Sequence, residues 1–136
     1  MSVNEGSVAE ISTTAKRYQA LFGKRGGRRK YGNVSTWHDS PVVGLRRYDS
    51  KKEAQYAARL DLEVKAGLVI AWWPQVPLFC GFDNDDGSPC RLIVDFRILT
   101  PEGVRYVDVK GMAPTKDWEV KRKAVEQRHG ILIEVV

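Results

Sequence analysis

The chain has 136 residues, 29% charged and 43% hydrophobic, which suffices for one compact core and is too short for two ordinary domains. No apolar run approaches the roughly 20 residues needed to cross a bilayer, and the start, "MSVNEGSVAE", lacks the basic residues and apolar stretch of a signal peptide; a membrane role is excluded and a cytoplasmic protein expected. The net charge of +5 lies wholly in the N-terminal third, since residues 1–49 hold nine Lys or Arg against four Asp or Glu and residues 50–136 hold thirteen of each.

In chain order, residues 7–22 suit a short amphipathic helix, with Ala9, Ala15, Tyr18, Leu21 and Phe22 on its packing side. The run "KRYQALFGKRGGRRKYGN" carries Lys16, Arg17, Lys24, Arg25, Arg28, Arg29 and Lys30 without an acid. A basic, glycine-containing arm on a neutral body fits phosphate binding; the alternative is a solvated tail that aids solubility. From Gly23 to about Val43 the sequence reads as irregular. The predicted organisation is thus a basic extension over 1–43 and a folded domain over 44–136.

That domain opens with a helix. Ser50 is a good N-cap, Glu53 stands three residues later as in a capping box, and Ala66-Gly67 closes it. "VIAWWPQVPLF" follows as a strand whose Pro74 and Pro77 call for an edge or a bulge. Cys80 and Cys90 flank the polar loop "GFDNDDGSP" and are expected as two reduced thiols. Asp83, Asp85 and Asp86 lack calcium-loop spacing and read as a solvated turn. Next comes "LIVDFRILTPEGVRYVDVKG", an alternating hairpin. "APTKDWEVKRKAVEQRHG" reads as a second helix between Thr115 and Gly130, and "ILIEVV" as a buried terminal strand. The order predicts an α/β or α+β domain built on a small central sheet with a helix on one or both faces.

The hairpin carries the chemistry. Strand alternation places Ile93, Asp95, Arg97 and Leu99 on one face of the first strand, and Val104, Tyr106, Asp108 and Lys110 on one face of the second. If Thr100 lies opposite Gly103, or Leu99 opposite Val104, then Asp95 opposes Asp108 and Ile93 opposes Lys110. A three-residue loop would instead put the two acids on opposite faces; the even register is favoured because it also pairs Arg97 with Tyr106 and leaves Val107 and Val109 together on the buried side. Opposed side chains stand about 5 Å apart, so two carboxylates there repel and call for a cation between them. Glu53 falls within about 40° of Ala57, Leu60 and Val64 on its helix, on the apolar stripe rather than the solvent side. Clustered carboxylates beside one lysine, without His or Cys, select Mg²⁺ or Mn²⁺. Such an ion suits phosphoryl chemistry, with Lys110 orienting the attacking water and offsetting developing charge.

Glu53 on the first helix, Asp95 on a strand and Asp108-Val109-Lys110 on its hairpin partner resemble the PD-(D/E)XK nuclease superfamily. "YDSKKEA", Gln75, "VDF", "VDVKG" and "Lys121…GILIEV" resemble, over residues 30–136, a small group of phage and prophage endonuclease-like proteins. The resemblance implies a restriction-endonuclease-like core, a mixed central sheet flanked by helices, and metal-dependent hydrolysis of DNA phosphodiesters. Asp95 and Asp108 would hold the metal, assisted by the Val109 carbonyl, while Glu53 would hold a second metal or a metal water. Lys110 would serve the nucleophile; Gln75 would line the site or satisfy a sheet-end hydrogen bond, and Lys121 would line it or stand solvated. The basic arm, which this likeness leaves unmatched, is expected from its charge to grip DNA through Lys24, Arg25, Arg28, Arg29 and Lys30. Val94 stands where the pattern has proline, and Asp108 where glutamate is commoner. The implied protein is a phage-encoded enzyme of a bacterial cytoplasm acting on branched, recombining or replicating DNA, as a homodimer if it resolves junctions, with no organic cofactor. The alternative reading is a non-catalytic nucleic-acid-binding protein that uses the same basic arm.

Overall fold

A computed structural model of the chain describes residues 34–136. The expected helix over 7–22 and the basic run from Lys16 to Lys30 lie outside the described residues. The chain divides into two compact units, Met1–Asp61 and Leu62–Val136.

The first unit contains a hairpin where irregular chain was expected. Strands β1 (Thr36–Ser40) and β2 (Gly44–Tyr48) pair antiparallel, from Thr36 opposite Tyr48 to Ser40 opposite Gly44. The turn explains the pairing. The Ser40 hydroxyl accepts the Val42 and Val43 N–H groups at 3.0 and 3.2 Å, and Gly44 takes the left-handed φ of 87° that returns the chain. The helix α1 (Lys51–Lys65) starts as its sequence demands, with Ser50 Oγ accepting the Glu53 N–H at 3.1 Å. Ala54, Ala57 and Leu60 are buried at helical spacing, and Glu53, only 8% exposed, belongs to that stripe as expected. Gly67, at φ 80°, lies just past the helix end.

The second unit is a four-stranded mixed sheet. Strands β3 (Ala71–Asp83), β4 (Pro89–Thr100) and β5 (Gly103–Asp108) pair antiparallel in sequence order, and β6 (Ile133–Val135) joins β5 in parallel after the helix α2 (Lys116–His129). β3 is an edge strand, as Pro74 and Pro77 require. The turn after it is exposed and self-contained, with Asp86 accepting the Ser88 N–H at 2.9 Å and the Asn84 N–H bonded to the Ser88 carbonyl at 2.7 Å.

β4 is the axis of the core. Leu92, Val94, Phe96 and Ile98 alternate with more exposed residues and are all buried, each worth about 1.5–3 kcal/mol of transfer free energy. Leu92 and Val94 pack with Val125 of α2, Ile133 of β6, Cys80 and Cys90. Phe96 meets Trp72 edge-to-face at 5.6 Å. α2 is capped as predicted: Thr115 Oγ1 accepts the Trp118 N–H at 3.2 Å, and Gly130, at φ 65°, returns its N–H to the Glu126 carbonyl.

The terminal strand differs from its expectation. β6 is a three-residue edge strand in which Ile133 alone is buried, while Leu132 and Val135 are 79% and 44% exposed. An apolar run reads as buried on both faces, but an edge strand beside one helix covers only one. The architecture is mixed α+β around a central mixed sheet.

Candidate functional site

The position of the two aspartates depends on one turn. Thr100 lies opposite Gly103, leaving a two-residue link, Pro101 and Glu102. Thr100 Oγ1 accepts the Glu102 N–H at 3.2 Å and donates to the Gly103 carbonyl at 2.9 Å, while Gly103 supplies a φ of 135°. The even register follows, with Leu99 opposite Val104, Arg97 opposite Tyr106 and Phe96 opposite Val107. The three-residue alternative is thereby excluded.

The next pair in this register is Asp95 and Asp108, and here the β4–β5 ladder gives way. β5 turns its backbone to β6: the Val136 N–H bonds the Asp108 carbonyl and the Lys110 N–H bonds the Val136 carbonyl, both at 3.0 Å. β4 stays with β3. The strands part as a fork, and the two carboxylates fill its angle. Asp108 Oδ1 accepts the Asp95 N–H at 3.1 Å, and Asp95 Oδ2 accepts the Val109 N–H at 2.8 Å. The expected pairing of Ile93 with Lys110 is not part of the ladder, because Lys110 has already turned its N–H toward Val136.

The expected repulsion is met by two backbone donors the sequence did not advertise and by Lys110, whose ion pair with one of the two aspartates is the alternative the sequence offers to a catalytic lysine. Each acid receives a backbone N–H, and Lys110 Nζ stands 2.7 Å from Asp108 Oδ2. Asp108 is 2% exposed. Its Oδ2 is buried and, apart from that ion pair, accepts no aligned hydrogen bond. The ammonium of Lys110 also lies 4.3 Å from the centroid of the Trp118 ring, within cation–π range. Trp118 is a residue that sequence reasoning passed over. Its signal was its place three residues after the Thr115 cap, which fixes it at the start of α2.

The remaining candidates separate. Gln75 lies on β3 between the pairs Pro74–Phe96 and Val76–Val94, which sets it level with Asp95. It is the one non-glycine residue of positive φ, 55°, among the described residues. Lys121 pairs with Asp117 of its own helix at 3.2 Å, a contact that holds its pKa above the ordinary lysine value. It lines a cleft with the Asp83–Asp86 turn and Cys90, so its recorded contacts are not with the fork. Glu53 belongs to the first unit. Lys24, Arg25, Arg28, Arg29 and Lys30 lie outside the described residues. Trp73 is half-exposed under the Arg97 guanidinium at 4.9 Å, whereas Trp72 is core.

Other polar groups are tied down structurally. His38 Nε2 meets Asp61 Oδ2 at 2.6 Å and Ser40 Oγ donates to Asp61 Oδ1 at 2.7 Å, clasping β1 to α1 within the first unit. Cys80 and Cys90 are free thiols 3.5 Å apart in the core. Burial, then the hydrogen bond shared with Cys90, push the Cys80 thiol up to about 11, so it is a thiol and not a nucleophilic thiolate at neutral pH.

Carboxylate oxygens are the donor type at the fork, the type that hard cations take. A closed site of three or more His, Cys, Asp or Glu does not occur among the described residues. Mg²⁺, however, is ordinarily held by one or two carboxylates and keeps several waters. Two aspartates at one fork, with the buried Asp108 Oδ2 already drawing a cation, meet that pattern. No family model, no curated protein and no solved structure matches the chain.

Proposed function

We propose that the chain is a Mg²⁺- or Mn²⁺-dependent endodeoxyribonuclease that hydrolyses phosphodiester bonds at the β4–β5 fork. The carrying observation is that the fork brings Asp95, Asp108 and Lys110 together, with the buried Asp108 Oδ2 facing an ammonium. The same residues carry the resemblance to the PD-(D/E)XK superfamily, and with it a restriction-endonuclease-like core.

A divalent cation bound here supplies charge neutralisation at the phosphate and acidifies water. Asp95 and Asp108 would hold it through carboxylate oxygens, with the Val109 carbonyl beside them. The protein then does the rest of the work. Lys110, beside Asp108 at 2.7 Å, would orient a water for in-line attack and offset the negative charge that builds on the phosphate. Gln75 stands level with Asp95 on the neighbouring strand, and on the resemblance would line the site. On the resemblance alone, Glu53 would serve a second cation or its water and Lys121 would line the site; on charge alone, the basic arm of Lys24, Arg25, Arg28, Arg29 and Lys30 would grip the DNA backbone. Branched or replicating DNA of a phage in a bacterial cytoplasm is the proposed substrate, with a homodimer delivering two cuts at a junction.

A second reading has its own observation: both carboxylates accept backbone N–H groups, so the acids could serve as a structural clasp in a non-catalytic nucleic-acid-binding protein. Incubation with linear, supercoiled and four-way-junction DNA in Mg²⁺, Mn²⁺ or EDTA separates the two. Cleavage in either metal that EDTA abolishes is expected. Binding without cleavage of any substrate would leave the clasp as the function of these acids.

A further inference from the structure

We propose that Trp118 is a positioning residue for Lys110, an aromatic platform that keeps the ammonium at the fork when a cation takes its place on Asp108. The inference rests on the nuclease reading and deepens it. Lys110 has two recorded partners of different kinds, the Asp108 carboxylate at 2.7 Å and the Trp118 ring at 4.3 Å. A divalent ion on Asp108 competes directly with the first, by like charge at the same oxygen. It does not compete with the second, because the indole face draws the ammonium through its quadrupole and offers no ligand to a hard metal. The ring contact thus stays open to a lysine whose side chain is 27% exposed when its carboxylate is taken.

The platform is itself held. Thr115 fixes the Trp118 backbone at the helix start, and the ring packs against the cluster around Val125 and Ile133. Arg122 also reaches the indole, at 5.6 Å, but its charge is matched by Glu119 at 2.5 Å and Glu126 at 3.8 Å. Lys110 is therefore the cation on this ring that is paired with the fork.

Two variants test the role. Trp118→Phe keeps an aromatic face, and Trp118→Leu keeps bulk without one. In metal-free protein the Lys110 ε-methylene proton resonance should be shifted upfield by the ring in wild type and Trp118→Phe, and should return to its random-coil position in Trp118→Leu. In cleavage kinetics Trp118→Leu should lose about tenfold in kcat with KM for DNA unchanged, and Trp118→Phe should stay within about threefold of wild type. An unshifted ε-methylene in a wild-type protein that cleaves DNA, or a Trp118→Leu enzyme with undiminished kcat, overturns the positioning role alone. A wild-type protein that cleaves nothing overturns the nuclease reading, and the positioning role with it.

Discussion

Asp108→Asn is expected to lower metal-dependent cleavage by about a thousandfold, or roughly 4 kcal/mol of transition-state stabilisation, while the protein stays folded. The substitution is chosen for what it preserves. An asparagine carbonyl still accepts the Asp95 N–H that Asp108 Oδ1 receives at 3.1 Å, so the fork keeps its hydrogen bond. It loses the charge that draws Lys110 and would draw a divalent ion. Asp108→Ala is a poorer probe. It strands the Asp95 N–H in a part-buried place at a cost of about 1–3 kcal/mol, and so mixes stability with chemistry. Single-turnover cleavage rates beside urea unfolding curves make the check. A folded Asp108→Asn protein that cleaves at the wild-type rate would remove Asp108 from the site.

Lys110→Met should act first on stability. Asp108 is buried and Lys110 is the cation recorded at its Oδ2, so removal of the ammonium leaves a desolvated carboxylate without its counter-charge. Breaking a fully buried pair in this way costs about 3–5 kcal/mol; the partial exposure of Lys110 brings the expectation down to about 2–3 kcal/mol. The informative part is the rescue. In EDTA the variant should be destabilised by that amount, and millimolar Mg²⁺ should restore most of it, because the divalent ion replaces the lost charge and binds only the folded state. Wild type, which already has its lysine there, should gain less. Equal Mg²⁺ effects on the two proteins would mean that ion and ammonium do not share the Asp108 oxygen.

The register of the hairpin was legible through its pairing and burial pattern more than through its turn. The residues from Thr100 to Gly103 leave a two- and a three-residue link open, and the even register is favoured because it pairs Arg97 with Tyr106 and leaves Val107 and Val109 together on the buried side, as the protein does. What alternation cannot express is the end of a ladder. The count predicts two opposed carboxylates; the protein has interlocked ones, because β5 leaves β4 for β6, a strand more than twenty residues later in the chain. The same limit hid the His38–Asp61–Ser40 clasp and the Lys110–Trp118 contact, which join residues brought together only by folding. β1 escaped notice because a five-residue strand leaves little periodicity to read, and its turn relies on a serine side chain. The exposure of Leu132 was illegible for a simpler reason: whether an apolar run lies at the edge or the centre of a sheet is a property of topology.

The central claim is that the fork binds a divalent cation through Asp95 and Asp108. Substoichiometric Mn²⁺ added to isotope-labelled protein tests it most directly, since paramagnetic broadening reports where the ion sits. The account predicts that the amide signals of Asp95, Asp108, Val109 and Lys110 broaden first in wild type and are spared in Asp108→Asn. The exposed turn with Asp83, Asp85 and Asp86 is the natural competitor for a cation. Broadening centred on that turn, with the fork untouched, would contradict the account.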